Sequence, residues 1–566
     1  MSDHPDDGEV RIISARRIIS FADTDPEALA CRGERVVALG PVAELRARFP
    51  GAEVRDLGDV TVVPGFNDAH QHPTICAEQS LHVDLSPERV YSRGDVTDAL
   101  RQRAARTPDG EWVVAAGLDP ARTLGGADLT RDDLDKACPG HPVLAVHVTL
   151  HSGVLNSQGL RLAGLSDDSA DPPGGELGRD AAGHLTGFLS DQALYDVAFP
   201  AFTRRQTTVP PPGPAAMERA FLEFAERLLA AGITSAGDAM VGPGGWELLC
   251  RLDQRGALPL RVNALVAHEH FGHFRPTGCA APPPESRLRI GGVKVFADGA
   301  VNGGACWVTE PVIGATGHGL PRMPAGELAK VVREIHDAGW RVAVHANGDR
   351  AIGVTLDAIA QAQRGSPRSD ARHRIEHVAI INAEIVAAMR ELGTVAVPFG
   401  QYPAAHGDKL RAYYEPERTE RMFAHRTLLD AGIPVAGSSD YPCGPFEPLY
   451  AMRSCVTRAD RDGRAFGGSQ RISARQALAL YTSGAAFASG EERWKGRLAP
   501  GYLADFVVLG EDPRAVSGDK LTQVPVLQTW VGGRPAWSAP GYSSLTAPGP
   551  DRRSGNSSPS ICDIHH

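Results

Sequence analysis

A chain of 566 residues that is 42% hydrophobic and 22% charged is longer than one ordinary domain and has apolar residues enough for a large core. Its formal net charge of -10 leaves no basic footprint for nucleic acid or an anionic membrane, and no apolar run approaches the roughly 20 residues of a membrane span. Nine cysteines without a CxxC pair, behind an acidic start that is no signal peptide, point to reduced thiols and a cytoplasmic protein.

Residues 10–19, 34–39 and 52–57 are short β-branched runs between Gly, Pro and Asp, the first part of a small β domain over 1–60 that is short of strands. Residues 61–73 then read as one buried strand, Thr61-Val62-Val63-Pro64-Gly65-Phe66-Asn67-Asp68-Ala69-His70-Gln71-His72-Pro73, ending in two histidines one residue apart. Positions i and i+2 of a strand point the same way, so His70 and His72 present two imidazoles at its C-terminal mouth, half of a metal shell. With 20 histidines in the chain one such pair is close to what chance supplies, and His268-Glu269-His270 is a second. The apolar strand before His70, and compatible ligands at later strand ends, set the first pair apart.

Residues 74–214 are too many for one helix and its loops. They read as an inserted subdomain with strands at 112–116 and 143–147, placed to cover a site. From 215 to 490 helices alternate with apolar strands, the pattern of a parallel α/β fold. The clearest helix has Leu328, Val331, Val332 and Ile335 at i, i+3, i+4 and i+7 and stops at Gly339. Strands at Val62, Ile233, Leu260, Val293, Val342, Ile375, Val395 and Val435 make eight, the number that closes a (β/α)8 barrel. Residues 491–540 return to strands and hairpin turns that complete the β domain begun at the other end, and 541–566 is a Ser/Pro/Gly-rich tail expected to be disordered.

Lys294, His345, His377 and Asp440 stand at or near the C-terminal ends of predicted barrel strands, which converge on one mouth. Four histidines and an aspartate suit zinc or a similar divalent ion with one position left for water. A lysine beside a dication fits if its neutral amine takes up carbon dioxide as a carbamate bridging two ions; the bland alternative pairs it with an acid such as Asp298.

The runs from Pro64 to His72, Lys294-Val295-Phe296-Ala297-Asp298-Gly299, His345-Ala346-Asn347-Gly348-Asp349, Arg374-Ile375-Glu376-His377, Gly437-Ser438-Ser439-Asp440 and the stretch from Tyr481 to Leu509 together resemble the amidohydrolase superfamily, more narrowly its YtcJ-like branch, amidohydrolase family 3. The resemblance implies a distorted TIM barrel with a β-sandwich made from both chain ends. It also implies that His70, His72, His345, His377 and Asp440 are metal ligands, and that Lys294 aligns with the lysine carboxylated in binuclear members. His151, in His151-Ser152-Gly153-Val154-Leu155-Asn156-Ser157, and Glu176, after Gly174-Gly175, match family stretches and are candidates for contact with substrate. Asn347, where many relatives carry isoleucine, is expected to change the pocket floor and leave the ligands intact.

The expected activity is metal-dependent hydrolysis of a non-peptide C–N bond in an amide, N-acyl, N-formyl or cyclic amide compound, with Asp440 taking the proton of water and passing it to the leaving nitrogen. Deamination is the rival, but its relatives carry a glutamate where this chain has Gly348; ester or lactone hydrolysis and a non-catalytic scaffold are further alternatives. A small-molecule substrate is the expected partner, and a homo-oligomer is compatible with the sequence.

Overall fold

The computed structural model describes residues 8–22, 25–277, 286–302, 304–542 and 545–546. The expected disordered tail falls outside this set except at 541–542 and 545–546.

A seven-stranded sheet runs in the order Phe66–Gln71, Ile233–Val241, Arg261–Ala267, Leu288–Phe296, Val342–Ala346, Arg374–His377 and Val395–Pro398, parallel throughout. Residues 433–440 take the next place. Ala436 N donates to Ala396 O at 2.9 Å on one side, while Ala69 N donates to Gly437 O at 3.1 Å and Asp440 N to His70 O at 2.8 Å on the other. An extended segment with single bridges at Val435 and Ser438 therefore joins the last strand to the first, giving an α/β, TIM-barrel-like ring. Helices cover the outside as their sequences dictate. In Ala383–Leu392 the Asn382 side chain caps Ile385 N at 2.9 Å, and Gly393, at φ 62, ends the helix.

The expectation of one barrel strand over 61–73 needs correction. Thr61–Pro64 pairs instead with Phe506–Leu509 and Arg17–Ile18, and the barrel strand begins only at Phe66. Gly65 is the passage between the two. Its N–H donates to Asp505 O at 2.9 Å, and a Cβ there would lie 2.2 Å from Thr234 Oγ1. The chain ends supply two five-stranded sheets: one with Arg17–Ile18, Thr61–Pro64, Phe506–Leu509, Val526–Val531 and Arg534–Ser538, the other with Arg11–Ser14, Ala28–Arg32, Arg35–Gly40, Glu53–Asp56 and Leu545–Thr546. Ile13, Leu29, Val62, Phe506 and Trp530, drawn from both sheets, share one apolar cluster.

Between the first and second barrel strands the chain builds a six-stranded sheet from Val83–Asp84, Val113–Leu118, Val143–His147, Ser152–Leu155, Gly175–Arg179 and Leu185–Asp191. Its apolar residues Leu144 and Leu189, with Tyr195 from the helix Gln192–Ala198 that follows, cluster with Met240, Ala267 and Phe296 at the C-terminal ends of barrel strands, which seats this sheet on the barrel mouth. Helix Pro73–Gln79 differs from the rest of the stretch: its Cys76 and Ala77 join Phe221 and Phe224 in the barrel core. No described helix is long and apolar enough to cross a membrane, and the seven described cysteines are free thiols.

Candidate active site

The first barrel strand carries Asn67, Asp68, His70 and Gln71, all buried, where apolar residues would be cheaper. Asp68 Oδ1 accepts from His70 N at 3.2 Å and from Ser439 N at 3.1 Å, tying this strand to the segment that closes the ring. Burial pushes the Asp68 carboxyl up to about 7 against those bonds. His70 Nδ1 meets Glu376 Oε2 at 2.5 Å, and Glu376 is clamped by Arg374 through Nε at 2.7 Å and Nη2 at 2.8 Å. Burial alone would raise Glu376; Arg374 and His70 outweigh it and hold the carboxyl at about 2. His72 lies one residue past the strand, with Nδ1 on the Ala239 carbonyl at 2.8 Å.

A carbonyl or an ionised carboxylate only accepts, so both rings carry their proton on Nδ1 and present the Nε2 lone pair inward. Those two Nε2 atoms lie 3.3 Å and 3.0 Å from the same oxygen, Asp440 Oδ1. Two lone pairs and a carboxylate oxygen, buried and converging, repel one another unless a cation stands among them. The donor set therefore fits a divalent metal. The ligand atoms of His70, His72 and Asp440 lie within 4.8 Å of one another, the metal-type cluster found among the described residues.

His345, His377 and Lys294 surround this cluster without completing it. The His377 ring is 4.9 Å from that of His70 and 4.5 Å from that of His345, and its buried Nδ1 has no hydrogen-bond partner. Strand alternation would send Glu376 and His377 to opposite faces. Left-handed backbone at His377 (φ 74) and Val378 (φ 43) breaks that alternation, a strain of about 1–3 kcal/mol per residue. His345 Nε2 is turned to Gly299 O at 3.2 Å and to Asn347 Nδ2 at 3.0 Å. Asn347 thus touches a proposed ligand, contrary to the expectation that it would alter only the floor. Burial lowers the pKa of His70, His345 and His377, with the Lys294 charge adding to the effect, which keeps these rings neutral.

Lys294 is buried, its Nζ 3.2 Å from His70 Nε2, and burial brings its pKa down to about 8 although Glu376 and Asp440 oppose. Asp298 is committed elsewhere: it accepts backbone N–H groups from Asn347 at 3.0 Å and from Trp307 and Gly348 at 2.9 Å. Asp440 sits at φ 50.

Beside the cluster, reached through Tyr441–Cys443 that follow Asp440, lies a cavity of about 1560 Å3 whose wall also includes His151, Glu176, Arg227, Lys409 and Leu320. His151 and Glu176 both line this cavity, with the His151 ring 5.9 Å from that of His345 and Glu176 exposed. The second histidine pair is not in the cluster; His270 Nε2 donates to Pro200 O at 2.8 Å and helps dock the inserted sheet. The sequence reading assigned no role to Glu376, Asp68 or the Ala239 carbonyl. The first two left a trace, charged residues inside apolar strands, whereas a backbone oxygen leaves none.

Residues 53–536 match the model described as the amidohydrolase family, and residues 28–52 match that of a bacterial imidazolonepropionase-like composite domain. The N-substituted formamide deformylase of Arthrobacter pascens is 29% identical over 547 residues, 93% of this chain and 97% of that one. YtcJ of Bacillus subtilis (strain 168) is 28% identical over 509 residues, 88% and 93% of the two chains. The crystal structure of an uncharacterized metal-dependent hydrolase from Pyrococcus furiosus aligns with a TM-score of 0.69 at 25% identity, covering 89% of this chain and 99% of that one. A family model spanning most of the chain, relatives aligned nearly end to end and a barrel with a His-His-Asp cluster at its mouth agree: this chain belongs to the amidohydrolase family, in its YtcJ-like branch.

Proposed function

We propose that this protein is a metal-dependent hydrolase that cleaves the C–N bond of an amide-type small molecule with water. The observation that carries the reading is the convergence of the His70 and His72 lone pairs on Asp440, next to residues Tyr441–Cys443 that line a large cavity. The near full-length likeness to a protein named for N-substituted formamides favours N-formyl and N-acyl compounds as the first substrates to try. His70, His72 and Asp440 would hold one ion, most simply zinc, and His345, His377 and Lys294 a second. Lys294 suits the bridging role as a carbamate, because an amine with a pKa near 8 has a substantial neutral fraction at cellular pH. When bound, a divalent ion supplies activation of water near neutral pH and polarisation of the carbonyl.

The remaining steps belong to the chain's own side chains. Asp440, ionised and aimed at the same point as the two Nε2 atoms, takes the proton as water attacks. Glu376 and the Ala239 carbonyl keep both imidazoles in the orientation that leaves Nε2 free. The inserted sheet narrows the approach, and Glu176 and His151 face the substrate from the cavity wall.

The test is metal content per chain by plasma mass spectrometry, for wild type and Lys294→Ala purified without chelator, followed by a screen of N-formyl and N-acyl amines. About two equivalents falling to one or fewer in the variant, with hydrolysis that chelation abolishes, is the expected result. Protein that takes up no metal on reconstitution and cleaves none of these compounds overturns the reading.

A further inference from the structure

Above His345, on the cavity side, stands a group of polar side chains that the metal cluster does not use. His151 immediately precedes strand Ser152–Leu155, and Asp191 ends its antiparallel neighbour Leu185–Asp191, so the pairing of Ser152 with Ser190 brings them side by side. Asp191 N donates to His151 O at 2.8 Å, and the two side chains meet between His151 Nδ1 and Asp191 Oδ1 at 2.7 Å. Asp191 is held at φ 45, a conformation that L residues seldom adopt, at the start of helix Gln192–Ala198. Arg322 lies 3.7 Å from the same carboxylate oxygen, and its guanidinium stands over the rings of Tyr195 and Phe296 at 4.5 Å and 4.8 Å. The acid is therefore positioned from three directions. All the hydrogen-bond contacts of the His151 ring fall on Nδ1, where Tyr195 Oη also approaches to 3.4 Å, and among the described residues nothing bonds Nε2. The ring lines the cavity and sits 5.9 Å from that of His345.

We propose that Asp191 is a positioning residue that fixes His151 with Nδ1 turned to the protein and Nε2 to the cavity, and that His151 delivers the proton to the departing nitrogen. The inference rests on the amide-hydrolase reading above and divides a task that Asp440 would otherwise perform alone. The oxygen of water bonds to the acyl carbon, the C–N bond breaks with its electron pair on nitrogen, and nitrogen takes the proton from Nε2 of the imidazolium. Asp440 holds the proton of the water, which returns to the imidazole as the products leave. The Asp191 carboxylate, on the far side of the ring, accepts from Nδ1 throughout and so keeps Nε2 the atom that exchanges the proton.

The experiment compares an alkyl amide with the 4-nitrophenyl ester of the same acyl group, because 4-nitrophenolate leaves without a proton. The variants are Asp191→Asn, which keeps the size and shape of the side chain and removes its charge, and His151→Ala. Each is expected to lower kcat on the amide by about 100-fold with KM within about threefold, to leave ester turnover within about fivefold, and to keep wild-type metal content. Added imidazole is expected to restore part of the amide turnover of His151→Ala and none of that of Asp191→Asn. Equal losses on amide and ester, or no loss on the amide, overturn the assignment. A wild type that cleaves the ester but no amide overturns the amide-hydrolase reading instead, and this inference with it.

Discussion

His70 shows how a single protonation choice reaches the whole site. Its Nδ1 proton is directed by Glu376, which lies 306 residues away in sequence and is itself held by Arg374. Glu376→Gln keeps an acceptor but can also present an amide N–H to the ring, and it leaves Arg374 buried without its counter-charge. A carboxylate that orients a ligating imidazole is worth about 10–100-fold in metal affinity, so the variant is expected to lose that much in a chelator competition. The same residue sets an acid limit on the fold. Its carboxyl is held at about 2 against the ordinary 4.5, so it contributes stability in full above 4.5 and loses it as pH falls from 4.5 through 2. Denaturant titrations of chelated protein should show wild type ahead of Glu376→Gln by about 3 kcal/mol at pH 6, with the gap closing below pH 4.5. A gap that does not change with pH would assign Glu376 to packing. The histidines and Asp440 stood out in one sequence because each lies at or near the C-terminal end of a predicted barrel strand. Glu376 stood in plain view in Arg374-Ile375-Glu376-His377, but only the closed ring shows which imidazole it faces.

At the scale of elements, the segment closing the ring carries Asp440, and its sheet bonds to both neighbouring strands are backed by what presses on it. The π-helical turn Leu480–Gly484 lies against it: Gly437 N donates to Leu480 O at 2.9 Å and Tyr481 Oη to Ser438 O at 3.2 Å. A Cβ on Gly437 would stand 2.6 Å from the Tyr481 ring. Gly437→Ala is therefore expected to cost about 1–3 kcal/mol by overpacking and, because Asp440 lies three residues on, to cut turnover by more than it cuts stability. Adding Tyr481→Leu should return part of the stability in urea unfolding; if it returns none, the contact with Tyr481 is not the cause. Hydrophobic periodicity revealed the helices and most barrel strands because a buried parallel strand is apolar on both faces. It failed at 61–73, where strands of two different sheets follow each other across Gly65, with Pro64 and Phe66 both buried and no exposed turn between them to mark the change. It also missed Ala28–Arg32, whose alanines and cysteine lack the β-branched bulk that signals a strand.

For the molecule as a whole, the chain ends meet at the foot of the barrel, opposite the mouth where the cluster lies. Arg261, the first residue of strand Arg261–Ala267, donates through Nε to Asp505 Oδ2 at 2.7 Å and through Nη2 to Glu34 Oε2 at 2.9 Å, joining the barrel to segments from both ends of the chain. Asp505 also accepts from Gly532 N at 2.8 Å, and the pair is almost fully buried. Taking away Asp505 leaves the buried Arg261 charge with the partly exposed Glu34 to offset it. Asp505→Ala is accordingly expected to lower unfolding free energy by about 3–5 kcal/mol, read from the urea midpoint, whereas replacing both charges, Arg261→Met with Asp505→Leu, should restore most of the loss. Because this pair sits at the N-terminal end of a barrel strand and the ligands at the C-terminal ends, folded Asp505→Ala should retain its metal and its turnover at low temperature. Loss of metal in the folded variant would show that the β domain reaches through the barrel to the site; retention of metal with a lowered midpoint would show that the two faces of the ring carry stability and chemistry separately.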